Sequence, residues 1–164
     1  MKIAIISDTH DNVLKTKKCL EELSKKGIKQ IFHLGDFCSP FMIDLFKEFN
    51  VKAVLGNNDA DVFRIMTKIK NLEFKLQDQL YEINVGNNKV ALYHGTSKEI
   101  VEAVAKSGLY DVLCHGHTHK VRNEKIGKTL VLNPRTLNNI VSPENKSTYM
   151  ILDSETLEVK LIEN

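Results

Sequence analysis

Seven side chains of metal-binding type stand just past short apolar runs in this sequence: Asp8, His10, Asp36, Asn57, His94, His117 and His119. Two carboxylates, four imidazoles and one carboxamide suit a hard-to-borderline divalent ion such as Mn²⁺, Fe²⁺, Zn²⁺ or Ni²⁺. The set exceeds what one tetrahedral ion needs, which points to two ions sharing a carboxylate. Two ions about 3.5–4 Å apart are the usual device for in-line displacement at phosphorus.

The elements that must position these groups can be read from the runs before them. Lys2 to Ile6 is apolar and β-branched with no alternation, as expected of a strand buried on both faces. In an extended chain residues i and i+2 point the same way, so Asp8 and His10 are expected to converge just past that strand. An open α/β sheet binds its ligands there, beyond the carboxyl ends of its strands. Asp36 follows Ile28 to Leu34, Asn57 follows Val51 to Leu55, and His94 follows Lys89 to Tyr93. The pair His117 and His119 follows Asp111 to Cys114. Each ending alone has a plain structural explanation: a helix cap, a Gly-Asp turn, a left-handed turn or a hydrogen-bonded core histidine. Their joint occurrence at five strand ends argues for a site.

Between these strands, Asn12 is expected to cap a helix running to about Lys26, with Val13, Leu20 and Leu23 inward and Gly27 as the stop. Ser39-Pro40 reads as N-cap and first residue of a second helix that buries Met42, Leu45, Phe46 and Phe49. From Asp61 to Gln79 the pattern gives a short helix and an irregular connection. Tyr81, Ile83 and Val85 alternate with polar residues and turn at Gly86-Asn87-Asn88 into the next strand, which is a hairpin. Thr96-x-x-Glu99 reads as a capping box for a helix that buries Ile100, Ala103 and Val104 and stops at Gly108. The remainder is β-rich: Val121 to Ile126, Thr129 to Leu132, Thr148 to Asp153 and Leu157 to Ile162.

No repeat or linker divides the 164 residues, so residues 1–164 are expected to form one domain. A charge of +2, from 23 basic and 21 acidic residues, calls for neither nucleic acid nor an anionic membrane. There is no apolar run of about 18 residues and no signal-peptide pattern at the start. Cys19, Cys38 and Cys114 are odd in number and form no C-x-x-C, which suits a reducing cytoplasm. A homodimer is compatible with the chain, although no single exposed apolar patch can be read from it.

The ordered set Asp8-x-His10, Gly35-Asp36, Gly56-Asn57-x-Asp59, His94-Gly95 and Gly116-His117-x-His119 resembles the calcineurin-like metallophosphoesterases. Length and close spacing are similar to the small phosphodiesterase branch of archaea and bacteria. The resemblance covers nearly the whole chain. It implies an α/β fold, a four-layer α-β-β-α sandwich of two mixed β-sheets flanked by helices. It also implies two divalent ions per subunit, Mn²⁺ foremost, with Ni²⁺, Fe²⁺ or Zn²⁺ as alternatives. Carried over by position, Asp8, His10, Asp36 and His119 would hold one ion. Asp36, Asn57, His94 and His117 would hold the other, with Asp36 the bridge. The implied reaction is hydrolysis of a small-molecule phosphodiester by in-line attack of a hydroxide shared by the two ions.

Many relatives place a histidine, as leaving-group acid, directly after the ligand asparagine. This chain has Asn58 there. An amide cannot protonate an alkoxide but can hydrogen-bond a phosphate oxygen, so Asn58 joins Asp36 as a candidate catalytic residue. The departure favours phosphodiesters with good leaving groups over phosphomonoesters. A phosphomonoesterase, and a non-catalytic protein-binding scaffold of the same fold, are the alternatives; a nuclease would need a basic stripe that is missing. His33 and His115 lie inside their strands and read as structural, His115 also as a partner of a ligand. Arg135 reads as an exposed loop residue, or alternatively as a phosphate clamp, and Cys38 as a small buried residue.

Overall fold

The strand Lys2–Ile6 (β1) divides its side chains between two separate cores: Ala4 and Ile6 pack on one side, Ile3 and Ile5 on the other. That is why its sequence lacks alternation. The computed structural model describes residues 1–164. After β1 come α1 (Val13–Lys25), β2 (Gln30–His33), a 3-10 helix (Pro40–Phe46), β3 (Asn50–Val54), α2 (Val62–Ile69) and β4 (Phe74–Gln77). The hairpin β5 (Leu80–Val85) and β6 (Asn88–Tyr93) leads to α3 (Lys98–Lys106) and β7 (Val112–His115). The chain closes with β8 (Val121–Ile126), β9 (Thr129–Pro134), β10 (Thr148–Asp153) and β11 (Val159–Glu163).

These strands form two mixed sheets, one of six strands in the order β11-β10-β1-β2-β3-β4 and one of five in the order β5-β6-β7-β9-β8. Strands β1 to β4 run parallel, as do β6, β7 and β9, so the carboxyl ends within each set lie on one edge. Three cores make four layers. Twenty buried residues, among them Leu23, Phe37, Phe46 and Tyr149, fill the space between the larger sheet and α1, α2 and the 3-10 helix. Fifteen, among them Phe32, Met150, Leu92 and Val112, lie between the two sheets. Seven, among them Tyr93, Val101 and Ala105, seat α3 on the smaller sheet. Each fully buried large apolar side chain contributes roughly 1.5–3 kcal/mol. The sandwich expected from the resemblance is the fold observed.

Four local expectations are corrected. Pro40–Phe46 is a 3-10 helix rather than an α-helix, although Met42, Phe46 and Phe49 are buried as expected and Leu45 is partly so. The irregular stretch before Gln79 contains β4, which adds to the edge of the larger sheet beside β3. Helix α3 is capped by Ser97, whose hydroxyl accepts the Ile100 N–H, while Thr96 bonds the Tyr93 hydroxyl instead. The inward face is therefore Val101 and Ala105 with Val104 partly buried; Ile100 is exposed, as is Ala103. Asp8 and His10 do not converge through extended backbone, since both have positive φ. No helix is long and apolar enough to cross a membrane.

Candidate metal centre

All seven candidate ligands lie past the carboxyl ends of β1, β2, β3, β6 and β7, the strands of the two parallel sets. Five of them leave their strands through left-handed backbone: Asp8 (φ 53°), His10 (39°), Asp36 (59°), His117 (65°) and His119 (52°). Such a conformation costs on the order of 1–2 kcal/mol for a non-glycine residue. Asp and His are among the types that tolerate it best. Sharp left-handed turns, rather than strand alternation, aim these side chains inward.

Space is as restricted as the backbone. A Cβ on Gly116 would meet the Ser7 hydroxyl and stand 2.7 Å from Asp8 Oδ2, and a Cβ on Gly56 would strike the Asp36 carboxylate. A Cβ on Gly35 would stand 2.6 Å from Gly56 N and 2.8 Å from His94 Nδ1. The glycines in the sequence motifs therefore admit the carboxylates and rings beside them.

The groups converge as two overlapping clusters, one of Asp8, His10 and His119 and one of Asp8, Asp36 and His94. His119 Nε2 is 3.2 Å from Asp8 Oδ1 and 3.4 Å from His10 Nε2. Asp36 Oδ2 faces His10 Nε2 at 3.4 Å and His94 Nε2 at 3.5 Å, so one carboxylate oxygen addresses both sides of the centre. Asn57 Oδ1 lies 3.0 Å from His94 Nε2. The His117 ring packs edge-on to His94 at 5.2 Å, and its backbone N–H donates to Asp8 Oδ2.

Outer contacts fix which nitrogen faces the centre. His94 Nδ1 is held by the Leu34 carbonyl at 2.6 Å and His119 Nδ1 by the Val141 carbonyl at 3.1 Å. His10 Nδ1 lies 3.3 Å from Cys38 Sγ. Nε2 is thereby left for a ligand in each ring, the arrangement common to metal-binding histidines. His10 and His119 set two imidazole nitrogens against each other beside carboxylate oxygens. That convergence of lone pairs and anionic charge would be stabilised by a cation. The residues present fit divalent ions.

Charge in the centre follows the same contacts. Burial alone would raise the Asp8 pKa, but hydrogen bonds from His10, His119 and Ser7 and the His94 charge hold it well below the usual carboxylate range. Asp36 is likewise lowered: burial opposes ionisation, and His94 together with two bonds from Asn58 outweighs it. The His119 pKa is raised chiefly by its bond to Asp8. Burial first, and then His94, lowers that of His117.

Several residues without an assigned role turn out to hold this centre. Asp59 accepts the N–H groups of Gly56 (2.7 Å), Cys38 (2.8 Å) and Asp36 (3.0 Å), tying together the turns after β2 and β3. Thr136 Oγ1 donates to the Asp8 carbonyl at 2.6 Å and Asn138 Nδ2 to the His10 carbonyl at 3.1 Å. The fourth place in Gly-Asn-x-Asp marked Asp59, whereas nothing near Thr136 or Asn138 pairs them with Asp8 and His10. Asn58 donates its backbone N–H to Asp36 Oδ1 (2.9 Å) and its side-chain Nδ2 to Asp36 Oδ2 (2.8 Å).

His33 is buried, stacked 3.6 Å from the Phe37 ring, and its pKa is lowered to about 3 by burial. It is structural, as expected. His115 is also buried, and its Nδ1 lies 3.2 Å from the Gly116 carbonyl, within the ligand turn. Arg135 is not an exposed loop residue. It is buried in a left-handed turn (φ 79°), and its guanidinium pairs with Glu144 at 2.7 Å. Cys38 is only half-buried and contacts the candidate ligand His10; burial and the surrounding carboxylates push its thiol up to about 12.

The profile described as calcineurin-like phosphoesterase superfamily domain matches residues 1–157. Phosphodiesterase MJ0936 of Methanocaldococcus jannaschii is 33% identical over 165 residues, which cover 99% of this chain and 98% of that protein. A solved archaeal phosphodiesterase superposes with a TM-score of 0.92 at 33% identity and 100% coverage of both chains. Vacuolar protein sorting 29 from Cryptosporidium parvum superposes with a TM-score of 0.73 at 20% identity, covering 99% of this chain and 96% of that one, a likeness of fold alone.

Proposed function

This chain belongs to the calcineurin-like phosphoesterase superfamily, and on that premise we propose that it hydrolyses phosphodiesters at a pair of divalent metal ions. The observation that carries the reading is the convergence of Asp8, His10, Asp36, His94 and His119 in two overlapping clusters, with Asp36 Oδ2 facing histidines on both sides. Similarity to MJ0936, named as a phosphodiesterase, supports the substrate class.

Asp8, His10, Asp36 and His119 would hold one ion; Asp36, Asn57, His94 and His117 would hold the other. When bound, two divalent ions supply Lewis acidity to the phosphoryl oxygens and lower the pKa of the attacking water. Mn²⁺ is the first candidate, with Ni²⁺, Fe²⁺ and Zn²⁺ behind it. The Leu34 and Val141 carbonyls and Cys38 hold three rings in the ligating orientation, which lowers the reorganisation that binding requires. Asn58 keeps Asp36 in place with one amide hydrogen, and its second can face a non-bridging phosphate oxygen. No imidazole stands at residue 58, so no ring acid is provided there for the leaving alcohol. Esters whose alcohol leaves without protonation are therefore the favoured substrates.

Asp36→Ala is expected to lower bound metal to one ion or fewer per chain and diester turnover by at least about 10³-fold, since it removes the shared ligand. Elemental analysis after dialysis, beside a bis-p-nitrophenyl phosphate assay, checks both. Full metal content with normal turnover would overturn the scheme.

A further inference from the structure

Against Asn57 and His94 lies a cavity of about 400 Å³ that the ligand set itself does not use. It opens between the end of β3 and the start of α3, with Leu55 and Ile100 supplying apolar wall and Gln79 and Thr96 polar wall. No lysine or arginine lines it, and its one ionisable carboxylate besides the centre itself is Asp78. Asp78 is exposed and forms no ion pair with any cation of the chain. The missing cations are a property of this cavity rather than of the neighbourhood. The groove on the other side of the His94 turn, past Gly95 and Thr118, carries Lys98, Lys120 and Arg122, the last paired with Glu102 and Glu124.

We propose that this cavity is the subsite for one ester substituent of the substrate, and that Asp78 selects a neutral or cationic alcohol there, an amino- or ammonium-alcohol above all. The inference rests on the phosphodiesterase reading and deepens it. Two of the candidate ligands form part of the cavity wall, so a phosphoryl group at the centre would place an ester oxygen at the cavity's mouth. The volume lies within the range of sites for small organic groups. A substituent with its own carboxylate or phosphate would meet Asp78 with no lysine or arginine on the cavity wall to offset it. One ending in an ammonium group would meet a free carboxylate instead. Across a few ångströms at a protein surface, such a change of sign is worth about tenfold in affinity or more.

The test uses metal-loaded protein and three aryl phosphodiesters that share a p-nitrophenyl leaving group. Their second ester group ends in trimethylammonium, in the isosteric and neutral tert-butyl, or in carboxylate. The wild type is expected to show a kcat/KM for the ammonium diester at least about tenfold above that for the carboxylate diester. Asp78→Lys should invert that order, and Asp78→Asn should bring the ratio near one. The tert-butyl diester gives the neutral reference in each protein, and unchanged bound metal by elemental analysis shows that the metal centre is intact. An ammonium-to-carboxylate ratio identical in wild type and Asp78→Lys, with full metal content in both, would overturn the subsite. If the wild type cleaves none of the three, the phosphodiesterase reading fails. The subsite is then read from equilibrium binding of the same compounds, where the same order and its inversion support it and equal affinities overturn it.

Discussion

At the scale of single residues, the centre is governed by what each carboxylate touches. Asp36 is held from two sides, by the Asn58 backbone and side-chain amides and by the histidines His10 and His94. Asn58 thus has a positioning role beside any contact with substrate. Asn58→His would replace an amide donor by a ring that can deliver a proton, which helps poor leaving groups most. We expect the variant to raise the ratio of p-nitrophenyl phosphate to bis-p-nitrophenyl phosphate turnover by about tenfold, with metal content within error of wild type. An unchanged ratio would remove the leaving-group role from residue 58. The candidate ligands could be picked out in the sequence because each is a metal-binding type at a strand end. The roles of Thr136 and Asn138 were not, because they act on Asp8 and His10 across more than a hundred residues.

At the scale of elements, strand ends and turns do the positioning. The apolar runs located the five strands because burial on both faces leaves a composition that few other elements share. The route past the strand ends was not legible. Period-two alternation put Asp8 and His10 on one side, whereas left-handed backbone puts them there. Strand β4 was missed because four residues at a sheet edge carry too short a pattern. In α3 two adjacent hydroxyl residues competed as N-cap, and choosing Thr96 over Ser97 rotated the inferred inner face by one residue. The turn after β7 offers a clean test of the spacing argument, since Gly116 has no positive φ and its side-chain site is filled by Ser7 and Asp8. Gly116→Ala is expected to keep the fold, at a cost of about 1–3 kcal/mol, and to weaken metal binding at least about tenfold in a calorimetric titration. Unchanged affinity would show that the close approach of Asp8 is dispensable.

At the scale of the molecule, two sheets packed face to face bring the parallel strands of both to a common edge, and the centre forms where their carboxyl ends meet. Periodicity supplied the strands but not their assignment to sheets, because a strand buried between two cores reads the same in any α/β arrangement. The resemblance supplied the sandwich, and the three cores show its physical basis. Neither a balanced net charge nor the lack of a spanning helix distinguishes an enzyme from a binding scaffold of this fold; metal-dependent turnover would. The decisive measurement follows from that point. Metal-stripped protein is given Mn²⁺, Ni²⁺, Zn²⁺ or Mg²⁺, and hydrolysis of bis-p-nitrophenyl phosphate is compared with that of p-nitrophenyl phosphate. The account predicts diester cleavage that is lost on stripping, returns with at least one transition-metal ion, and exceeds monoester cleavage by at least about tenfold. Monoester preference, or no cleavage with any of the ions, would contradict it.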